Sequence, residues 1–211
     1  MTAIASFDVD AQKGFTPVCP DELPVPEGDQ IVDELNAQAA LADFRIGSRD
    51  AHPANAHWIA NHPDEVFSEV EGDNVDIKWP PHALVGTTGF ELLDGLPHPV
   101  TGYHLMVSKG LDPDCHPYGA CYHDLGDRVS TGVIEFLNHH QVGTVILGGL
   151  AMDYCVAKTA LQLRAAGFRV ILNRAATRGI APDSMAAAEH QMKQSGVELA
   201  ASAEEVRQLI A

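Results

Sequence analysis

The stretch TVILGGLAMDYCVAKTALQL, residues 144–163, decides the fold. Its first half is a short aliphatic run closed by paired glycines, the pattern of a buried strand. Its second half puts Val156, Ala160 and Leu163 on one helical face, and Gly167 follows as a stop for a helix over 154–166. Cys155 falls in the first turn of that helix. Free N–H groups and the positive end of the helix dipole favour a thiolate there, and the same groups can hold an oxyanion. A buried structural cysteine is the alternative reading of this local pattern.

Three more apolar runs end in a reactive residue. IASFDVD (4–10) delivers Asp10, DFRIGSRD (43–50) delivers Asp50, and YHLMVSK (103–109) delivers Lys109. Strands are expected near 3–9, 43–48, 103–108, 144–149, 169–173 and 197–200. Between them lie helical patterns, with Ile31 and Leu35 on one face and Val133, Phe136 and Leu137 on another. Ser202 and Glu205 have the spacing of a capping box for a last helix. This alternation predicts an α/β fold: a doubly wound, mostly parallel six-stranded sheet with helices on both faces, in strand order 3-2-1-4-5-6. Ligands bind such sheets beyond the carboxyl ends of the strands, at the switch point. Here that point lies between the first and fourth strands, which carry Asp10 and Cys155.

A chain of 211 residues suits one domain, 1–211. The segment at about 51–101 breaks the rhythm. It holds both tryptophans, five of the eleven histidines and six of the thirteen prolines. An insertion of that kind at a sheet rim is expected to cover the site. The formal charge of −16 disfavours nucleic acid and anionic membranes as partners. No apolar run reaches the roughly 18 residues that would span a bilayer, and the MTAIASFDVD start does not read as a signal peptide. Cysteines 19, 115, 121 and 155 form no CxxC pair, so reduced thiols in a cytoplasm are expected.

Asp50-Ala-His52 places two ligand types at i and i+2 at a strand end, where alternate side chains point the same way. His82 offers a third ligand, and an Asp/His/His set with open positions suits zinc, manganese or iron. Surface residues also explain a DxH pair. His57 and His62 are further candidates, whereas His139 and His140 read as surface-helix residues. Asp8 competes with Asp10 for an acid–base role.

In this order the segments DAQKGF (10–15), SRDAHPAN (48–55), WPPHALVGTTG (79–89), SKGLDP (108–113) and GLAMDYCV (149–156) resemble the nicotinamidases of the isochorismatase-like cysteine hydrolase superfamily. The resemblance covers nearly the whole chain. It implies hydrolysis of nicotinamide to nicotinate and ammonia, with Cys155 as nucleophile, Asp10 as acid and base, and Lys109 holding Asp10. It implies an oxyanion hole from the backbone N–H groups of Ala151 and Cys155, next to a cis peptide between Leu150 and Ala151. One divalent ion on Asp50, His52 and His82, zinc foremost, would orient the pyridine ring, and His57 stays a further candidate ligand beside them. Phe15 and Trp79 would wall the ring. The expected partner is a small pyridine carboxamide, with a homo-oligomer left open. Gly14 stands where the family's segment has an acid, and Cys121 where it has an aromatic residue of the pocket wall. Another cysteine amidohydrolase acting on a carbamoyl or ureido amide, or a non-catalytic binding protein, are the rival readings.

Overall fold

The computed structural model describes residues 2–211. Its six strands form one parallel sheet in the order β3-β2-β1-β4-β5-β6. The strands are β1 (Ala3–Val9), β2 (Phe44–Asp50), β3 (Leu105–Lys109), β4 (Val142–Gly149), β5 (Arg169–Thr177) and β6 (Glu198–Ala200). The helices are α1 (Val32–Ala39), α2 (Val133–His139), α3 (Ala157–Ala165), α4 (Pro182–Gln194) and α5 (Ala203–Ile210). This is the order expected for the doubly wound sheet.

Strand alternation explains the two-sided packing. Val145, Leu147, Val170 and Leu172 share one core with Val133 and Leu137 of α2, Ala160 and Leu163 of α3 and Met192 of α4. Ile146 and Ile171 point the other way, toward Val206 of α5. Leu35 of α1 packs with Ile31, Leu150 and Ala176 on that second side. Each such fully buried aliphatic side chain contributes about 1.5–3 kcal/mol. No described helix is long and apolar enough to cross a membrane.

Several boundaries differ from expectation. β2 and β3 run on to Asp50 and Lys109, which pair with each other at the sheet's end. β5 continues four residues past the expected Asn173, because Gly149 pairs with Thr177 after a register shift and accepts a bond from its hydroxyl at 2.7 Å. The polar Asn173-Arg174 pair hides that continuation from a reading based on apolar runs. Helix α4 offers only Met185, Ala188 and Met192 to the core, too sparse a stripe to stand out. The expected helix at 154–166 instead begins as a π turn, Met152–Val156, in which the Val156 N–H reaches back to the Ala151 carbonyl. Gly167 does end α3, at φ 93°. At α5 the Ser202 side chain makes no cap, and Glu205 accepts the Ala201 N–H at 2.6 Å instead.

The segment 51–101 contains no strand or α-helix. Bridges at His52–Leu84 and Ile59–Trp79 fold it over the carboxyl end of the sheet, and Ala56, Trp58, Val75 and Trp79 form a small core of its own there.

Candidate active site

Asp10 follows β1 in a left-handed conformation, φ 44°, which an aspartate tolerates. Its N–H is held by the Ser48 carbonyl at 3.1 Å, and its Oδ1 accepts the Ser48 hydroxyl at 2.6 Å. Oδ2 is left facing the cluster, 3.0 Å from Lys109 Nζ, though the ammonium is not aligned to donate to it. Lys109 Nζ donates to Asp50 Oδ1 and to the Pro117 carbonyl at 3.1 Å, and lies 3.7 Å from Cys155 Sγ. One donor atom from each of Asp10, Asp50 and Cys155 falls within 4.8 Å of the others. Asp10 and Lys109 are fully buried. The rival acid Asp8 is committed elsewhere: its Oδ2 accepts from Arg45 Nε at 2.8 Å and the Tyr103 hydroxyl at 2.9 Å.

Burial sets the electrostatics. Alone it would lower Lys109, but the Asp10 and Asp50 carboxylates push that ammonium well above its usual range. Burial would likewise raise Asp50, but Lys109 and His52 hold it well below the carboxylate range. For Asp10 burial wins over Lys109, and its pKa is raised. Cys155 is pushed well above a free thiol, by burial first and then by Asp10 and Asp50, against the pull of Lys109. Burial thus opposes the helix dipole at Cys155, and the Asp10 carboxyl beside it is placed to accept the thiol proton. The other cysteines stand apart. Cys115 donates to the His123 carbonyl at 2.8 Å, and burial pushes its thiol up to about 11. Cys121 lies in the core against α2 and α3 rather than in a pocket wall.

The Leu150–Ala151 peptide is cis. Among the described residues the Ala151 N–H meets no acceptor, and Cys155 sits in the opening turn of a helix, where N–H groups are left over. Asp153 of the same turn accepts the Ile180 and Ala181 N–H groups, fixing the strand-to-helix loop at the pocket.

A narrow cavity of about 20 Å³ opens beside Cys155, lined by Phe15, Trp79, Tyr154, Ile180, His82 and Asp50. Trp79 meets Tyr154 edge-on at 5.0 Å and donates to the Tyr118 hydroxyl at 3.3 Å. Neither tyrosine stood out in the sequence.

His52 and His82 converge, with ring centroids 4.9 Å apart. The Nδ1 atoms lie 3.1 Å from the Gly110 carbonyl and 2.7 Å from the Pro80 carbonyl respectively. Metal-binding histidines use this arrangement, in which one ring N–H donates to a carbonyl and the other nitrogen keeps its lone pair. His52 Nε2 is buried and unpartnered, 3.5 Å from Asp50 Oδ2. Burial pulls His82 down to about 3, so its ring is neutral, the form that binds a metal. The two histidines fit a divalent ion, with Asp50, which groups with Asp10 and Cys155, at their border.

His57 does not join them. It is exposed and pairs with Asp114 at 2.8 Å, because the chain turns outward between His52 and Trp58. His62 is exposed before the Pro63–Glu65 turn. His116, from the loop after β3, stands beside His52 and His82 instead. No spacing rule links His116 to a DxH pair more than sixty residues earlier.

Gly14 has a structural partner. The Glu22 carboxylate occupies the space where a side chain at Gly14 would begin, and it accepts the Ala83 N–H at 2.8 Å. An acid is therefore present at that point of the rim, delivered from another residue.

The Isochorismatase domain profile matches residues 7–204. A nicotinamidase of Escherichia coli is 31% identical over 188 residues, covering 84% of this chain and 85% of that protein. Among solved structures, an Acinetobacter baumanii nicotinamidase/pyrazinamidase superposes with TM-score 0.87 at 30% identity, over 98% of this chain and 99% of that one. A Pyrococcus horikoshii pyrazinamidase in complex with zinc gives TM-score 0.73 at 29% identity, over 94% and 98%. With its sheet order, its buried Asp10–Lys109–Cys155 cluster and a profile match over nearly its full length, the chain belongs to the isochorismatase family.

Proposed function

We propose that this chain hydrolyses nicotinamide to nicotinate and ammonia through a thioester on Cys155. One observation carries the reading. A thiol, a carboxylate and an ammonium meet at one end of a narrow cavity that suits a flat ring, with His82 in its lining and His52 beside His82.

Asp10 Oδ2 accepts the Cys155 proton as Sγ bonds to the amide carbon. The raised pKa of Asp10 brings it closer to neutrality, where a group can both take and return a proton. The tetrahedral oxyanion lies against the Ala151 and Cys155 N–H groups. Asp10 then hands the proton to the departing nitrogen, the carbon–nitrogen bond breaks, and ammonia leaves a thioester. Asp10 next takes a proton from water, whose oxygen attacks the thioester carbon. Collapse returns that proton to Sγ and frees the acid. Lys109 keeps its positive charge throughout and holds both carboxylates in place. Phe15 and Trp79 clamp the ring faces. Asp50, His52 and His82 would hold one divalent ion, zinc before manganese or iron, whose chemistry is to bind the ring nitrogen and so orient the carboxamide.

The test is ammonia release from nicotinamide, benzamide and an open-chain ureido amide, for the wild type and Cys155→Ala. Benzamide lacks only the ring nitrogen, so its kcat/KM should be lower by roughly tenfold or more. Cys155→Ala should lose at least about 10³ in turnover, since among the described residues no other thiol lines the cavity. Equal turnover of the two aromatic amides contradicts the ring-nitrogen contact. Faster turnover of the ureido amide replaces the substrate assignment.

A further inference from the structure

His116 has no role in the acyl chemistry, and packing alone does not explain it. The side chain is 4% exposed, and neither Nδ1 nor Nε2 has a hydrogen-bond partner. An unmatched buried polar group costs about 1–3 kcal/mol. The ring stacks with His52, at 5.2 Å and 29°, and with Trp79, at 5.8 Å and 28°, and Trp58 tilts against it at 4.3 Å. A phenylalanine would fill that slot without the cost.

One nitrogen from each of His52, His82 and His116 lies within 4.8 Å of the others. Three nitrogens around one ion at about 2.0–2.1 Å stand roughly 3.4 Å apart in a tetrahedral shell, so small ring rotations close the gap. Asp50 Oδ2 borders the same space, 3.5 Å from His52 Nε2.

We infer that His116 is a third histidine ligand of the divalent centre, an assignment that rests on the reading of His52 and His82 as metal ligands. The donor set becomes three imidazoles and the Asp50 carboxylate, which favours zinc or cobalt over magnesium or calcium. His116 also precedes Pro117, whose carbonyl accepts from Lys109 Nζ. Ligation therefore anchors the loop that positions the catalytic lysine.

The experiment titrates cobalt(II) into the metal-stripped full chain, read by visible ligand-field absorption and by chelator competition. It compares the wild type with His116→Phe, which keeps the stack, and with His116→Asn in case phenylalanine does not pack. His82→Ala and His57→Ala serve as controls. Both His116 variants should weaken cobalt binding by at least about 100-fold, more than loss of a typical outer-shell partner, and should change the spectrum. His57→Ala should change neither. If folded His116 variants match the wild type in affinity and spectrum while His82→Ala loses cobalt, His116 is not a ligand and the two-histidine centre stands. A wild type that binds no cobalt removes the centre, and this inference with it.

Discussion

The two ends of the one sheet use charge in opposite ways. At the carboxyl end, Asp10, Asp50 and Lys109 are 0–2% exposed and touch one another. At the amino end, Arg169 at the start of β5 meets Glu198 at the start of β6 with two bonds of 2.8 Å, yet both side chains are nearly 40% exposed. The geometry of the exposed pair is the better of the two, but burial decides the energy. Removing charges from water costs several kcal/mol per ion, and a surface pair gains little by comparison. The buried cluster is an expensive way to hold a fold together and an effective way to hold a thiol, a carboxylate and an ammonium in fixed relation.

Lys109→Met tests that contrast most severely. It leaves the Asp10 and Asp50 carboxylates buried without their cation, which should cost about 3–5 kcal/mol of stability. The midpoint of guanidinium unfolding reads this directly. Adding Asp10→Asn should recover part of the loss, because one uncompensated charge goes. A Lys109→Met protein as stable as the wild type would show that the cluster is already hydrated or neutral. Catalysis should fail in both variants, so the partial recovery separates stability from chemistry.

What could be read from the sequence follows the same division. Strand ends could be read because a reactive residue closes an apolar run: Asp10, Asp50, Lys109 and Cys155 all lie where β1, β2, β3 and the turn after β4 place them. The parallel order followed from β-α-β alternation. His116 could not be read, since its approach to His52 depends on how two irregular loops fold over the rim. Glu22 was hidden for the same reason, its partner Ala83 being sixty-one residues away. At Cys155 a helix dipole is visible in a sequence pattern, whereas the burial that opposes it is not. Helix α4 escaped because alanine and two methionines bury it without a large-residue stripe.

Glu22 occupies the middle of the scale. Half-buried at the rim, it accepts one buried backbone N–H, that of Ala83 beside His82. Glu22→Ala should cost about 1–2 kcal/mol, the cost of leaving that donor unmatched. Gly14→Asp should be harmful alone, because the Glu22 carboxylate and the Gly89 carbonyl crowd its Cβ, and should be less harmful in the Glu22→Ala protein, where the backbone contact alone is left and an acceptor is restored. Thermal denaturation of the two single variants and the double one measures this. Simple additivity of the two losses would mean that Glu22 does not replace an acid at position 14.

The smallest effect is expected at the amino end. Glu198→Gln removes the carboxylate from Arg169, and at pH 7 it should cost less than about 1 kcal/mol, since solvent screens a pair this exposed. The Arg169 guanidinium lowers the Glu198 pKa below its ordinary 4.5, chiefly through the hydrogen bonds it donates. A carboxyl whose pKa is depressed on folding stabilises the protein above the unfolded value and loses that contribution as pH falls through the folded one. The difference between the wild type and Glu198→Gln should therefore be constant from pH 7 down to about 5 and shrink below about 4.5. It should also shrink in molar salt, which the buried Lys109 cluster should resist. Urea midpoints for the two proteins across pH and salt check each point. A gap of 2 kcal/mol or more at pH 7, insensitive to salt, would mean that the exposed pair acts like the buried one and that burial is not what separates the two ends of the sheet.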